Sequence, residues 1–410
     1  MTTTAEFRGQ ARDWVPDAAI APTRARIARA LFLRAARTLP PGSLTVVLPD
    51  GRAAVAGRPG APTMRVHREA FFHRLGAHGR IGFGEAYMAG DWSADDLPGT
   101  LAAFAASLSR LAPAPFRRIG RLLDRRLPAD EDNTPEGAAR NIARHYDLSN
   151  ELFALFLDET MTYSCAIFEP GDTLETAQRR KYEALAELAD VAPGHDVLEI
   201  GTGWGGMAIH LATTRGCRVT SATISQAQAS LARRRIAAAG VGDLVEVVLH
   251  DYREITGVYD RIVSVEMFEA VGERYWPAFF ASCDRYLRPG GAMAMQTITM
   301  PHRRYRATRR TYGWVHKYIF PGGLIPSEEA IDRALRTSSS LRVEATSEIG
   351  HFYTTTLRMW RERFLARADE VAALGFDTTF RRMWEFYLAY CQAGFATGAL
   401  GDVQLRLARP

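Results

Sequence analysis

Between residues 198 and 206 the chain reads Leu198-Glu199-Ile200-Gly201-Thr202-Gly203-Trp204-Gly205-Gly206, an apolar run that breaks into glycines. Glycine has no Cβ, so such a segment can turn sharply and let a nucleotide lie against its backbone. Gly201, Gly203 and Gly206 also satisfy G-x-G-x-x-G, which alone is a weak signal for a dinucleotide. A dinucleotide site needs a carboxylate about 20 residues further on, to hold a ribose hydroxyl. That stretch is Ser221-Ala222-Thr223-Ile224-Ser225-Gln226, which contains no acid. The carboxylate, Glu199, stands before the glycines instead. Neutral groups at Thr223, Ser225 and Gln226 suit S-adenosylmethionine, which has no phosphates and carries a sulfonium and an ammonium. Asp251 and Tyr252 close a later apolar run. The acid can accept from an adenine amino group and the ring can stack on the base; otherwise a lone Asp in such a place is a helix cap.

These residues need a frame that gathers the ends of several strands. Asp196–Ile200, Arg218–Thr223, Val245–His250, Arg261–Val265 and Ala292–Ile298 are short apolar runs, separated by helical patterns such as Gln226–Ala239 and Tyr275–Tyr286. Strands alternating with helices predict a parallel sheet covered on both faces, and ligands of such sheets bind beyond the carboxyl ends of the strands. The first hundred residues differ. Ser43–Leu48 and Arg52–Ala56 flank Pro49-Asp50-Gly51 as a hairpin would, and Arg24–Thr38 and Leu101–Leu111 have helical apolar spacing. The segment from Ala112 to Pro135 is rich in Pro, Arg and Asp and reads as a linker. At 410 residues the chain exceeds what one core usually organises. The expected division is 1–111, a linker over 112–140, and 141–410.

Several motifs, taken in order, are specific enough to compare with a known family. His145-Tyr146-Asp147-Leu148-Ser149-Asn150, Met161-Thr162-Tyr163-Ser164-Cys165, Gly203-Trp204-Gly205-Gly206, Thr223-Ile224-Ser225, Met267-Phe268-Glu269 and Lys317-Tyr318-Ile319-Phe320-Pro321-Gly322-Gly323 resemble the cyclopropane fatty-acid synthases. The resemblance runs from about 141 to the C-terminus, with a weaker echo in Gly84-Glu85-Ala86-Tyr87-Met88. It implies an α/β fold, a Rossmann-like class I methyltransferase with a mostly parallel doubly wound sheet, preceded by a smaller mixed α+β domain that docks on lipid. It implies S-adenosylmethionine as methyl donor, bound by Tyr163, Ser164, Glu199, Gly201, Gly203, Trp204, Gly205, Thr223, Ser225, Gln226, Asp251 and Tyr252. It also implies chemistry in which an acyl-chain alkene takes the methyl and a base then removes a proton from it. In the cyclopropane synthases that base is held to be bicarbonate, bound by Cys and Ile backbones and by Glu, His and Tyr side chains. Those map here to Cys165, Ile298, Glu269 and Tyr353, but Gln296 stands where the histidine should be.

A second departure accompanies the first. The family pattern Gly-Met-Phe-Glu-His reads Glu266-Met267-Phe268-Glu269-Ala270 here, which puts a carboxylate at the carboxyl end of the fourth strand. A carboxylate there is favoured beside developing positive charge and can serve as the general base, with Gln296 donating to it. Bicarbonate then becomes unnecessary. These departures, with Gln296-Thr297-Ile298-Thr299-Met300-Pro301-His302, resemble the actinobacterial fatty-acid C-methyltransferases that make 10-methylene chains, precursors of tuberculostearate. The resemblance leaves open a reductase acting on that product and a homo-oligomeric state. The bland reading of Glu266 is a salt-bridged structural residue. Tyr163, Trp204, Phe320 and Tyr353 are candidates to face a cation, or else fill the core. Cys391 matches a cysteine sometimes given a catalytic role, but alkene attack needs no thiol, so it reads as packing.

Charge and composition bound the alternatives. Arg117, Arg118, Arg121, Arg125 and Arg126 form one basic cluster; Arg303, Arg304, Arg306, Arg309, Arg310 and Lys317 form another, interleaved with aromatics. Either is a solvated face or attracts acidic headgroups; no nucleic-acid motif accompanies them. The four cysteines have no metal or disulfide spacing. No run is long enough to span a bilayer, and Met1–Trp14 lacks a signal-peptide core, so the expected location is the cytoplasm, at the inner face of the membrane. A true cyclopropane synthase, a non-catalytic lipid-binding protein and a small-molecule methyltransferase remain as competing readings.

Overall fold

The computed structural model describes residues 22–40, 42–107, 133–134, 137–138, 140–141 and 149–409. The Met1–Trp14 reading, most of the linker, the Arg117–Arg126 cluster and His145–Leu148 lie outside the described residues. Two compact units are present: Met1–Arg126 with Thr311–Ile319 and Leu357–Ala399, and Leu127–Arg310 with Phe320–Thr356 and Leu400–Pro410. The sequence division of the chain had placed Thr311–Ile319 and Leu357–Ala399 with the catalytic stretch; here they belong to the first unit.

In the first unit, β1 (Thr45–Val47) and β2 (Ala53–Val55) form the expected antiparallel hairpin. Gly51 takes a left-handed φ of 80° at its turn, where a side chain would be strained. β3 (Thr63–Val66) joins β1 in parallel and β4 (Trp92–Ala94) closes the sheet as β2-β1-β3-β4. Helices Pro22–Arg37 and Leu97–Ser107 lie near their predicted places. The Gly84–Met88 motif serves packing. A Cβ on Gly84 would stand 2.5 Å from the Trp314 indole. The fully buried Glu85 receives Lys317 Nζ at 2.6 Å, Tyr318 Oη at 2.8 Å and His78 Nδ1 at 2.5 Å.

The second unit is built on a seven-stranded sheet, ordered β10-β11-β9-β8-β5-β6-β7. β5 (Asp196–Ile200), β6 (Arg218–Thr223), β7 (Val245–Leu249), β8 (Tyr259–Val265) and β9 (Leu287–Thr299) are parallel and fall on the predicted apolar runs. β10 (Arg342–Glu348) and β11 (Gly401–Ala408) were not anticipated. β11 runs antiparallel to β9, setting Gln404 opposite Gln296 and Asp402 opposite Ile298. Helices cover both faces: Trp276–Tyr286 and Glu328–Ser338 bury their apolar sides with β8, β9 and β11, while Leu174–Leu188, Gly206–Arg215 and Gln226–Ala238 bury theirs with β5 and β6. No described helix is long and apolar enough to cross a membrane.

Candidate active site

Beyond the carboxyl ends of β5, β6, β7 and β8 lies one cleft of the second unit, lined by the glycine turn and the residues after each strand. Gly203 has φ +51° and nothing within 4 Å of where its Cβ would stand, so the turn presents bare backbone to open space. Gly206, at the start of the following helix, is held close: a Cβ there would meet Tyr182 Oη and stand 2.8 Å from the Thr160 carbonyl. Gly205 caps the same helix in the left-handed conformation, facing Ala232 rather than the cleft.

Of the residues predicted to hold the nucleotide, Tyr163, Ser164, Glu199, Gly201, Gly203, Trp204, Thr223, Asp251 and Tyr252 line this cleft. Gly205, Ser225 and Gln226 are not among its lining. Ser225 accepts from Gln228 N as the N-cap of the helix Gln226–Ala238, and Gln226 is exposed, its Nε2 3.3 Å from Ser230 Oγ. Two residues on, the helical turn brings Gln228 inward, where it receives Thr223 Oγ1 at 3.0 Å and joins the lining. Asp251 is clamped by Arg253, with Nε and Nη2 each 2.7 Å from a carboxylate oxygen. Glu199 is buried beside Ser221, and burial pushes its carboxyl up to about 8. Among the described residues, Tyr252 Oη is buried without a partner. The bare turn, this orphan hydroxyl and the neutral Thr223–Gln228 pair fit a nucleoside with free hydroxyl and amino groups and no phosphate.

The predicted catalytic residues converge at one carboxylate. Glu266 follows β8 with φ +46°, a left-handed backbone that costs a side-chain-bearing residue about 1–2 kcal/mol. Among the described residues only Met161 and Asp190 also do this without being glycine, and Met161 lines the same cleft. Glu266 Oε1 accepts the Cys165 backbone N–H and Gln296 Nε2, each at 2.8 Å; Oε2 accepts Tyr353 Oη at 2.6 Å. The backbone N–H of Glu266 itself donates to the Gln296 carbonyl at 2.9 Å. Glu266 thus has donors on both oxygens and lines the cleft, so it is positioned to take a proton from a group bound there.

Glu269, on the turn after β8, is turned elsewhere. Its Oε1 accepts from Thr297 Oγ1 at 2.9 Å and from the Ile298 backbone N–H, and its Oε2 is buried without a partner among the described residues. Burial, then the charge of Glu266, raises this carboxyl to about 8. The Cys165 thiol is wholly buried and donates to the Ala166 and Ile349 carbonyls; burial holds it well above the usual thiol range, so its backbone N–H and not its sulfur acts here. Cys391 belongs to the first unit and is half-buried rather than buried. Of the candidate aromatics, Trp204 donates to Asn150 at 2.7 Å and packs on Phe153, Tyr163 packs edge-on to Phe153, and the Tyr353 hydroxyl is engaged by Glu266.

The basic cluster over 303–317 divides. Arg303, Arg306 and Arg310 are exposed. Arg309 is paired with Glu273, and Lys317 with the buried Glu85 of the first unit. Those two cations are spent inside the fold, contrary to the reading of the cluster as one surface. Lys181, Gln228 and Asp402 escaped the sequence reading. Asp402 and Gln404 were legible only through the alternation Asp402-Val403-Gln404-Leu405 of β11, a strand not foreseen.

Residues 133–405 match the family model described as mycolic acid cyclopropane synthetase. The chain is 49% identical over 404 residues to a tuberculostearic acid methyltransferase of Mycobacterium tuberculosis, covering 96% of this chain and 94% of that protein. It is 36% identical over 356 residues to the cyclopropane-fatty-acyl-phospholipid synthase of Escherichia coli, covering 86% and 89%. Among solved structures, a cyclopropane synthase from Mycobacterium tuberculosis superposes with a TM-score of 0.62 at 28% identity, covering 66% of this chain and 98% of that one. A mycolic acid cyclopropane synthase complexed with SAH and CTAB gives a TM-score of 0.61, also at 28% identity, over 66% of this chain and 97% of its own.

Proposed function

The chain belongs to the mycolic acid cyclopropane synthetase family and is an S-adenosylmethionine-dependent methyltransferase, and we propose that it methylates the double bond of an oleoyl-type phospholipid chain to give a 10-methylene product. The observation that carries this reading is the carboxylate of Glu266, part of the chain itself, held by Cys165 N, Gln296 and Tyr353. The similarity to a tuberculostearic acid methyltransferase over nearly the whole chain supports the same product.

S-adenosylmethionine, when bound, supplies an electrophilic methyl group; Gly201, Gly203, Gln228, Tyr252 and their neighbours would hold it. The protein's own task is to manage a cation and a proton. Glu266 stabilises positive charge developing on the acyl chain. A hydride then shifts from the methylated carbon to the neighbouring cationic carbon, and Glu266 accepts a proton from the transferred methyl, whose C–H electrons form the exocyclic double bond. Three donors keep the carboxylate oriented for this transfer and cannot compete as bases. The half-buried Glu269 and the buried Cys165 frame the carboxylate without touching the proton. The lipid would be met at the inner face of a membrane, with peripheral association and a reductase consuming the methylene product.

The test is Glu266→Gln, which keeps the shape and removes the acceptor. Turnover on oleoyl phospholipid should fall by roughly 10²–10⁴-fold, the range for loss of a general base, with calorimetric affinity for S-adenosylmethionine retained. Lipid mass spectrometry should find a methylene chain from the wild type, whether bicarbonate is added or depleted. Near-normal turnover of the variant, or a wild type silenced by bicarbonate depletion, would return the cyclopropane reading to first place.

A further inference from the structure

Beside the half-buried Glu266 lies a fully buried carboxyl, Asp402, that the reaction above does not use. Along β11, Val403, Leu405 and Leu407 join the apolar core with Trp276 and Ile331. Alternation therefore turns Asp402 and Gln404 to the opposite face, where the helix Leu174–Leu188 packs on β9 and β11. That helix contributes Gln178 and Lys181, three residues apart and both fully buried. Gln178 Nε2 donates to the Ser164 carbonyl at 2.9 Å, and Lys181 Nζ to Ser164 Oγ at 2.6 Å. Gln404 Nε2 donates to Gln296 Oε1 at 3.1 Å, which fixes the Gln296 amide. Its Nε2 then points at Glu266 Oε1, 2.8 Å away, and at Asp402 Oδ2, 3.4 Å away.

Glu266, Asp402 and Lys181 thus share one polar layer, and the two carboxyls meet at the one Gln296 amide, which reaches an oxygen of each. Lys181 also faces Asp158 and Glu199, so one ammonium among these carboxyls would leave a net negative charge in a largely buried place, and two carboxyls sharing one amide donor there do not both stay ionised. The donors decide which. Glu266 has three, whereas among the described residues Asp402 has only the long Gln296 contact and its Oδ1 is buried without a partner. We propose that Lys181 and Asp402 are positioning residues that fix the ionisation of this pair: Lys181 supplies the counter-charge, Asp402 keeps the proton, and Glu266 is left as the carboxylate.

The electrostatics run the same way. Burial, then the charge of Glu266, holds the Asp402 carboxyl far above its usual range, while burial lowers Lys181 to about 8, so its ammonium persists below that pH. The remaining groups that face Glu266 are Cys165 from the loop before that helix, Glu269 from the turn after β8 and Tyr353 from the helix Gly350–Ala366. None is a cation. Lys181 is therefore the one buried positive charge among the described groups around this carboxylate.

The inference rests on Glu266 being the base, and the experiment separates the two. In ligand-free enzyme at pH 7, the infrared difference spectrum between wild type and Asp402→Asn should show loss of a carboxylic-acid C=O band. Loss of a carboxylate band instead overturns the assignment. Lys181→Met should move the acid limb of kcat/KM up by about one pH unit or more, as removal of a neighbouring opposite charge does, with S-adenosylmethionine affinity within about twofold of wild type. A rate lowered equally at every pH, with the limb in place, means Lys181 is only structural. Should Lys181→Met not fold, Lys181→Gln keeps a donor toward Ser164 and serves the same comparison. Normal turnover in Glu266→Gln would sink the base assignment whatever these variants show. An inactive Glu266→Gln with an ionised Asp402 in the wild type sinks only the present inference.

Discussion

Tyr353 Oη stands 2.6 Å from Glu266 Oε2, on the oxygen not occupied by Gln296 and the Cys165 backbone. The hydroxyl comes from the helix Gly350–Ala366 and the carboxylate from the end of β8. A side chain leaving a left-handed backbone is thereby fixed at both oxygens, and its direction is set by three elements distant in sequence.

Tyr353→Phe should accordingly impair the base while leaving it in place. A hydrogen bond to a charged group contributes about 1.5–3 kcal/mol, so turnover should drop at least roughly tenfold. The acid limb of kcat/KM should move to higher pH, because a donor to the charged form has gone. Unchanged turnover and an unmoved limb would show that the hydroxyl does not support the carboxylate.

Two glycines of one turn should fail in different ways. Gly203→Val places a side chain in the open cleft and should abolish S-adenosylmethionine binding, with stability lowered only by the left-handed backbone cost of about 1–2 kcal/mol. Gly206→Val drives a side chain into Tyr182 and the Thr160 carbonyl and should lower the melting temperature strongly. Calorimetry and thermal melts on both variants check the contrast; retained affinity in Gly203→Val would remove the turn from the ligand site.

The stability of the ligand-free enzyme should depend on pH through Glu199. Burial raises its carboxyl from 4.5 to about 8, so the folded state keeps a proton that the unfolded chain releases. Its stabilising contribution is complete below about pH 4.5 and is lost as pH rises through about 8. Across that window Tm should fall more steeply in the wild type than in Glu199→Gln, which cannot ionise. Parallel curves would mean that Glu199 is already ionised when buried.

For the membrane, the informative arginines are the exposed ones. Reversing Arg303, Arg306 and Arg310 together should weaken binding to anionic vesicles by about 1 kcal/mol per charge, with less effect at high salt, and spare S-adenosylmethionine binding. Arg309→Glu should instead destabilise the fold, because it sets a second acid against Glu273. Salt-insensitive vesicle binding would make the three arginines a solvated surface.

Much of this was written plainly in the sequence. The five parallel strands announce themselves because each is a short, largely apolar run between helical patterns, and the glycine turn because backbone must be bare where a ligand approaches. Glu266, Gln296, Tyr353 and Cys165 could be named by comparing motifs, and Gln296 could be expected to donate to Glu266, but the arrival of the Cys165 backbone and Tyr353 at the same carboxylate could not be read from the sequence. β10 escaped because, as an edge strand, it is mostly exposed and carries little apolar signal. With β10 and β11 unseen, Asp402 looked like a polar residue near a terminus. Gln228 and Gln226 differ only in the direction each side chain takes from the first helical turn, which spacing alone could not choose. Lys181 carries no motif, and its burial depends on β11, the unforeseen strand on which its helix packs.

The left-handed backbone at residue 266 has a meaning for heredity as well as for chemistry. The family pattern has glycine there, for which such a conformation is free, and histidine where Gln296 stands. Exchanging that pair for glutamate and glutamine would turn a solute that must diffuse in from the cytosol into a group specified by the gene. On the proposed reading, the base is inherited with the chain instead of being drawn from the surroundings.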